Sequence, residues 1–193
     1  MIALVTIVVG LLAGVGVVFL VFGDSFDDIR KLLQPIGASG PGGTVDLGHG
    51  VTVTVPDGWA IVDSTAEDSS SKRMERGLSM VLGHTSTSMI LEPAELCDSQ
   101  IRTMAGQGIT NATFSGASTV LTSGGATAVQ CEVTGTATGM FGSGPIGLRY
   151  VVARTEDGLT GALSLHYKPG STKDQTLQDY DAMVDSMWKS MLD

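Results

Sequence analysis

Basic residues are scarce in this chain of 193 residues. It has 11 Lys and Arg against 20 Asp and Glu, a formal net charge of −9. Binding to nucleic acid requires a basic patch that neutralises phosphates, so the composition argues against a nucleic-acid partner. It also argues against docking by charge onto an anionic lipid surface. Charged residues make up only 16% and hydrophobic residues 42%, which excludes a disordered acidic tail.

Cysteine and the common catalytic motifs are equally rare. Two cysteines are too few for a disulfide-dense mini-protein or a four-cysteine zinc site. Ser143 lacks the first glycine of a G-x-S-x-G elbow because Phe141 stands there. No Gly-Lys-Ser/Thr, H-x-x-x-H or C-x-x-C occurs. We therefore expect no enzyme, no metal and no cofactor, and ordinary turn or sheet positions for the three histidines, His49, His84 and His166.

The first 23 residues carry the strongest pattern. No charged residue occurs in residues 2–22, and at a rise of ~1.5 Å per residue such a run spans ~31 Å, the thickness of a bilayer core. A cleaved signal peptide is the alternative. It normally has a basic start, a shorter apolar run and an Ala-x-Ala-like site, whereas this run has no preceding Lys or Arg and ends on Phe22-Gly23-Asp24. The pattern favours an uncleaved transmembrane anchor over residues 1–23.

Small residues lie on one face of the predicted anchor. Gly10 and Gly14 form a G-x-x-x-G with Ala13 beside them, and small residues at this spacing let two membrane helices approach closely. The alternative is that glycine is simply common in membrane helices. The pattern predicts an integral membrane protein as partner, in addition to contact with membrane lipid.

The two cysteines, Cys97 and Cys131, are 34 residues apart. An even pair in a domain that follows an export-type segment predicts a disulfide, whose closure would stabilise the fold by roughly 3.5–4 kcal/mol. Two buried free thiols are the alternative. Because disulfides form outside the cytoplasm, we expect a single-pass protein of the cell membrane with a cytoplasmic N-terminus and an extracytoplasmic domain.

The remaining pattern divides the chain into a juxtamembrane helix with a Gly/Pro linker (24–44) and a folded domain (45–193). In this domain we expect strands at 45–55, from Trp59, and near 117–122, 126–134, 147–155 and 159–167. We also expect a polar loop at 64–76, a hairpin of 78–82 with 87–91, and helices at 92–105 and from 171 or 172 to 192. The links are too short for crossover helices, which predicts an α+β fold with a mostly antiparallel sheet.

Two stretches resemble a known family. Gly50–Trp59, with the sequence GVTVTVPDGW, is similar to the opening strand and turn of PsbP-like domains, which include exported LpqN-type lipoproteins of actinobacteria. Asp181–Trp188 resembles their closing helix. The resemblance implies a sheet flanked by two helices in an α/β/α sandwich, and a mostly non-catalytic role in assembly or binding. This chain has a predicted membrane helix where LpqN-type proteins have a lipidated cysteine.

One glycine-rich segment, Gly135–Gly147, has an apolar pair at its centre, Met140 and Phe141. Apolar side chains at a loop tip are costly in water unless they contact something. The pair therefore predicts a contact with a partner or the membrane. The alternative is that both side chains fold back onto the core of their own domain.

Together these patterns predict a non-enzymatic, single-pass accessory or assembly subunit of a larger bacterial membrane complex. A respiratory supercomplex and an envelope-lipid transport machinery are the candidate hosts. The alternative is an anchored module that binds an apolar envelope lipid between sheet and helix, in a pocket of roughly 300 Å³ or more. An exported hydrolase is the least favoured hypothesis.

Overall fold

The computed structural model describes residues 40–62, 71–87, 91–138, 143–170 and 174–193. All of them belong to the unit that spans Pro35–Asp193. Neither helix within these ranges combines the length and the apolar character needed to cross a membrane. Several predictions lie outside the described residues: the anchor (1–23), its packing face of Gly10, Ala13 and Gly14, the juxtamembrane segment and linker through residue 39, and the pair Met140 and Phe141.

Ten strands and two helices make up the described part of the domain. Two strands form a separate antiparallel hairpin, β1 (Gly43–Gly48) and β2 (Val51–Val55). The main sheet contains β3 (Ala60–Val62), β4 (Lys72–Arg76), β5 (Ser79–Ser86), β6 (Ile109–Phe114), β7 (Ser118–Ser123), β8 (Ala126–Ala137), β9 (Gly144–Arg154) and β10 (Thr160–Tyr167). Its order is β3-β4-β5-β10-β9-β8-β6, and β7 also pairs with β8. The helices are α1 (Pro93–Gly106) and α2 (Asp174–Leu192).

Alternation along β9 separates two hydrophobic cores. Val151 and Ala153 pack in one core with α2, whereas Tyr150 and Val152 pack in the other with α1. Because successive residues of a strand point to opposite faces, α1 and α2 cover opposite faces of the sheet. The β1–β2 hairpin contributes its buried valines to the core on the α2 face.

These observations confirm the α+β class, the antiparallel sheet and the two flanking helices. The strands predicted near 117–122, 126–134, 147–155 and 159–167 correspond to β7, β8, β9 and β10. The two predicted helices are present as α1 and α2. All these elements carry a buried apolar face or run, except β7, which is mostly exposed.

The single strand predicted over 45–55 is wrong, because this segment is the β1–β2 hairpin. The chain reverses at His49, which has a φ of 55°, between Gly48 and Gly50 with φ values of 97° and 80°. Positive φ is accessible to glycine at little cost, so the Gly-His-Gly sequence permits the turn that the alternation of valines conceals.

The polar loop predicted over 64–76 is wrong for its last five residues, which form β4. The predicted hairpin of 78–82 with 87–91 is also wrong, since β5 is one strand that pairs with β4 through the turn Gly77–Leu78. In β4 only Met74 is apolar and fully buried, while Arg73 and Glu75 form an ion pair. A strand with one apolar residue among charges gives almost no alternating signal.

Candidate functional site

Gly40 lies directly on the Pro56–Gly58 turn. The Gly58 N–H donates to the Gly40 carbonyl at 3.0 Å. A Cβ atom on Gly40 would lie 2.5 Å from the Trp59 carbonyl oxygen. Only glycine permits so close a backbone approach, so the last residues of the predicted linker are fixed against this turn.

Behind the turn, a buried carboxylate joins three elements. Asp179 of α2 is 6% exposed. Its Oδ2 accepts a hydrogen bond from Trp59 Nε1 at 3.0 Å and forms an ion pair with Arg76 of β4. Its Oδ1 accepts from Gln175 Nε2 at 2.8 Å. Both oxygens have partners inside the domain, as a buried charge requires, so this cluster connects the turn and β4 to the first half of α2.

Two serines of α2 satisfy the outer edge of β2. Ser186 Oγ accepts from the Thr54 N–H, and Ser190 Oγ accepts from the Thr52 N–H, each at 2.9 Å. An unpaired strand edge can pair with a foreign strand. The two serine hydroxyls accept these N–H groups, so the N–H groups are not available to pair with another strand. Their spacing of four residues along a helix is the sequence signal that we missed.

The predicted disulfide is present. It joins Cys97 of α1 to Cys131 of β8. Both residues are buried, at 0% and 1% exposure, beside Leu96 and Ile101 in the core under α1. The bond therefore fastens α1 to β8, the strand next to the β6 edge of the sheet.

A second polar cluster lies beside α2 on the sheet. Arg149 Nε is 3.6 Å from Glu132 Oε2, and Arg149 Nη1 is 3.5 Å from Asp181 Oδ1. The Tyr167 hydroxyl donates to Glu132. Burial, and then this hydrogen bond, raise the pKa of Tyr167. A phenol with a raised pKa stays protonated at neutral pH, so Tyr167 acts here as a hydrogen-bond donor and is unsuited to be a general base.

The histidines occupy a turn and two strands, as predicted: His49 lies in the β1–β2 turn, His84 in β5 and His166 in β10. Burial lowers the pKa of His84. Burial, followed by the nearby charge of Arg73, lowers the pKa of His166 to about 4.

The two strand histidines are too far apart to share one catalytic or metal centre. His84 is opposite Ala162 and His166 is opposite Met80 in the same strand pair, so they are four residues apart in register. This offset is about 13 Å along the strands. Across the described ranges, no three His, Cys, Asp or Glu side chains come together to hold a metal ion.

A cleft of about 270 Å³ opens at the start of α1. Its walls include Pro93, Thr127, Val129 and Arg154. The Arg154 Nη1 donates to the Leu91 carbonyl at 2.9 Å, which holds this side chain against the segment before α1. The cleft lies at the edge of the α1 layer and is distinct from the core between the sheet and α2.

That core contains large side chains in full contact. Its aromatic and methionine side chains that are 0% exposed are Trp59, Met74, Tyr180, Met183 and Met187. The Tyr180 hydroxyl donates to the Leu163 carbonyl at 2.8 Å, which satisfies its polar atom inside the core. Protein interiors packed in this way leave little room for another molecule.

Comparisons with known proteins identify no family. No family model matches the chain, and no curated protein matches it. Among solved structures, the yeast (Saccharomyces cerevisiae) Ran-binding protein Mog1p is 13% identical with a TM-score of 0.48, over 78% of this chain and 90% of that one. A point mutant of Mog1 has a TM-score of 0.49 at 12% identity, over 78% and 88%. PA94, a Pseudomonas aeruginosa protein of unknown function, has a TM-score of 0.41 at 14% identity, over 75% and 94%. Similarities at this level support no conclusion about function.

Proposed function

We propose that this protein is a non-enzymatic, single-pass accessory or assembly subunit of a larger bacterial membrane complex. Its N-terminus would lie in the cytoplasm, and its domain, of PsbP-like type, would lie outside the cell membrane. The disulfide between Cys97 and Cys131 is the observation that carries the proposal. Disulfides of this kind persist in exported proteins and are rare in the cytoplasm.

The uncharged run at residues 2–22 supports the same location. An oxidised domain that follows such a run is typical of a chain inserted in the membrane with its C-terminal part exported. The packing face at Gly10, Ala13 and Gly14 would bind a helix of an integral membrane protein. Met140 and Phe141 would add a second contact with that partner or with lipid. No role in nucleic-acid binding is proposed for a chain of net charge −9.

The polar groups of the domain support an accessory role. Asp179 holds Trp59 and Arg76, and Arg149 lies between Glu132 and Asp181. These groups connect strands to a helix, which is a structural use of charge. The closely packed core between the sheet and α2 counts against the alternative of a lipid carrier that holds its ligand there.

Substitution of the anchor glycines tests the partner. We expect the double variant Gly10→Leu and Gly14→Leu to remain in the membrane but to co-purify less of its complex in mild detergent. Larger side chains separate the two helix backbones, and each lost helix contact is worth only ~1–2 kcal/mol. The measurement is therefore best made on the anchor alone, with the domain removed at the linker.

The matched control is the double variant Val8→Leu and Val15→Leu, which changes the same helix away from the two glycines. It should retain the partner. If both double variants recover the partner equally, the glycines form no interface and the anchor is a plain tether.

A further inference from the structure

The bond between Cys97 and Cys131 is enclosed between α1 and the sheet. Cys97 is 0% exposed and Cys131 is 1% exposed. Tyr150, which is opposite Cys131 on β9, is 3% exposed and belongs to the same core. Thiol–disulfide exchange requires a thiolate to contact one of the two sulfur atoms. The bond can therefore exchange only after part of the domain has moved.

α1 packs on the sheet through one side only. Residues on its opposite side, such as Glu95 and Arg102, are exposed. A helix of 14 residues is marginally stable once its tertiary contact is lost. The residues that make this contact are the buried ones of the helix: Pro93, Leu96, Cys97, Ile101 and Ala105.

Polar contacts add little to this packing. Glu92, at the N-cap of α1, makes no side-chain hydrogen bond to the helix. The Thr103 hydroxyl donates inside the helix, to the Ser99 carbonyl at 2.9 Å. The Arg102 guanidinium lies 4.6 Å from the centre of the Phe114 ring in β6. In the part of the chain that the structure describes, no nitrogen or oxygen of an α1 side chain hydrogen-bonds to the sheet.

The α2 layer does not depend on α1. Across the described ranges, the core under α1 and the core under α2 share no side chain. Asp179, Ser186 and Ser190 connect α2 to β4 and β2 through hydrogen bonds and an ion pair. β8 pairs with β9 from Thr127 to Ala137. Loss of the core under α1 therefore leaves the sheet and the α2 layer folded, as in the sub-global openings of other proteins.

We propose that α1 opens as a separate unit and that thiol–disulfide exchange at Cys97–Cys131 takes place only through this opening. In the open state the bond is still intact, and a thiolate attacks one of its two sulfur atoms. The attack forms a mixed disulfide and releases the other cysteine as a thiolate. A second thiol of the reductant then displaces the first cysteine, so two electrons pass from the reductant to the two cysteines.

Formation of the bond is the same exchange in the opposite direction. The thiols of Cys97 and Cys131 give two protons and two electrons to a disulfide-bearing oxidant, which is itself reduced to two thiols. Because packed α1 encloses both sulfur atoms, the oxidant acts before α1 packs on the sheet. Oxidation is thus a step of folding. This inference uses the bond on which the proposed function also rests, but it does not require the anchor.

Reduction kinetics of the full-length protein in mild detergent test the proposal. Dithiothreitol is added without denaturant, and a maleimide traps the free thiols at intervals for counting by mass spectrometry. We expect reduction to be slower than in the same protein unfolded in urea by about a hundredfold or more, because the core under α1 must open first. Ile101→Ala removes an α1 side chain that is 1% exposed. It should accelerate reduction by about thirtyfold or more.

The matched control is Met187→Ala, which removes a fully buried side chain from α2 on the other face of the sheet. Both variants should lower the urea midpoint of the domain by similar amounts. Met187→Ala should nevertheless be reduced at the rate of the wild type, since its core stays closed when α1 opens. Equal acceleration in both variants would show that exchange passes through global unfolding, which overturns the proposal.

The urea dependence of the wild type tests the same point without a substitution. Opening of α1 exposes the surface of one short helix and its contact. The logarithm of the reduction rate should therefore rise with urea less than about half as steeply as the logarithm of the global unfolding constant. Equal slopes would overturn the separate opening of α1. Reduction in water as fast as in the unfolded chain would show that the sulfur atoms are already accessible, and it would also overturn the proposal.

One further outcome separates this inference from the proposed function. Modification of both cysteines in native protein without any reductant would show that the bond is absent. That result refutes the inference and also removes the observation that carries the proposed function. The other contrary outcomes refute the opening of α1 alone.

Discussion

The two helices cover opposite faces of one sheet, but they are held there by different means. α1 has 14 residues, and its apolar contact is made chiefly by Leu96, Ile101 and Ala105, with the covalent bond from Cys97 to β8. α2 has 19 residues and buries Tyr180, Met183, Val184, Met187, Trp188 and Met191 without any covalent link. A short helix with a small apolar face is only marginally stable by itself. In this domain the disulfide adds a covalent link to the helix with the smaller apolar contact, α1.

The difference extends to the polar contacts. On the α2 face, side chains of the helix make the long-range contacts. Asp179 binds Trp59 and Arg76 of β4. Ser186 and Ser190 accept hydrogen bonds from β2. On the α1 face, the disulfide makes the corresponding long-range connection. The α1 layer should therefore depend on the redox state, and the α2 layer should depend on a distributed set of hydrogen bonds.

Removal of the disulfide should have the largest effect. For Cys97→Ala with Cys131→Ala we expect a loss of about 3.5–4 kcal/mol in the free energy of unfolding, because the unfolded chain regains the entropy of an open loop. Urea unfolding of the domain measures this loss, and reduction of the wild type should lower the unfolding midpoint in the same direction. Rapid alkylation of both thiols in native, unreduced protein would contradict the account.

Removal of Asp179 should have nearly as large an effect on the α2 layer. Asp179→Ala leaves the Trp59 N–H without its acceptor in the core and Arg76 without its ion pair. The cost of breaking a buried pair is ~3–5 kcal/mol. Because the Arg76 side chain is 30% exposed, water recovers part of that cost, and we expect about 3 kcal/mol.

The control for this variant is Asp185→Ala, an exposed position on the same helix. It should change the free energy of unfolding by less than about 0.5 kcal/mol. A similar loss in both variants would show that helix propensity, and not the buried carboxylate, determines the result.

The elements with strong alternation or helical periodicity could be predicted from the sequence. Their apolar residues are numerous enough to mark a face, as in β9 and α2. β4 could not be predicted, because Met74 is its one buried apolar residue, and β6 could not, because most of its side chains are exposed. In the β1–β2 hairpin the regular valines concealed the turn at His49.

Acidification should weaken the domain through His166, on the α1 face. Its pKa is about 4 in the folded protein, against an ordinary value of 6.5, because burial and then Arg73 disfavour the charged form. The unfolded chain therefore binds the proton first. The free energy of unfolding is therefore unaffected by this group above about pH 6.5. It decreases as the pH falls toward 4, and at pH 5 the decrease is about 2 kcal/mol.

Urea titrations at pH 7 and pH 5 test this dependence. His166→Gln should reduce the difference between the two pH values by about 2 kcal/mol. His49→Gln, which changes an exposed turn, should leave the difference as it is in the wild type. An unchanged difference in His166→Gln would show that other groups cause the acid sensitivity.

The serine pair should have the smallest effect. Each of Ser186→Ala and Ser190→Ala removes one acceptor from a β2 N–H, which costs about 1 kcal/mol per hydrogen bond. The exposed Lys189→Ala is the control on the same helix. Hydrogen exchange measures the change directly: the amides of Thr54 and Thr52 should each exchange about fivefold faster in the corresponding variant.

The polar site could be predicted much less well than the fold. The disulfide followed from two cysteines and an export-type segment. The role of Asp179 could not be predicted, because its contact with Trp59 joins residues 120 positions apart and no local pattern indicates it. The hydrogen bonds that Ser186 and Ser190 accept could not be predicted either, because they depend on how β2 packs against α2.

Protease digestion of intact spheroplasts tests the central claim, that an oxidised domain lies outside the membrane, most directly. The full-length chain is followed with an antibody against its C-terminal helix, and lysed spheroplasts serve as the control. We expect the external protease to cut at the linker in intact spheroplasts, which releases the domain and leaves a small membrane-bound fragment. Protection of the whole domain in intact spheroplasts, with cleavage only after lysis, would place the domain in the cytoplasm and contradict the account.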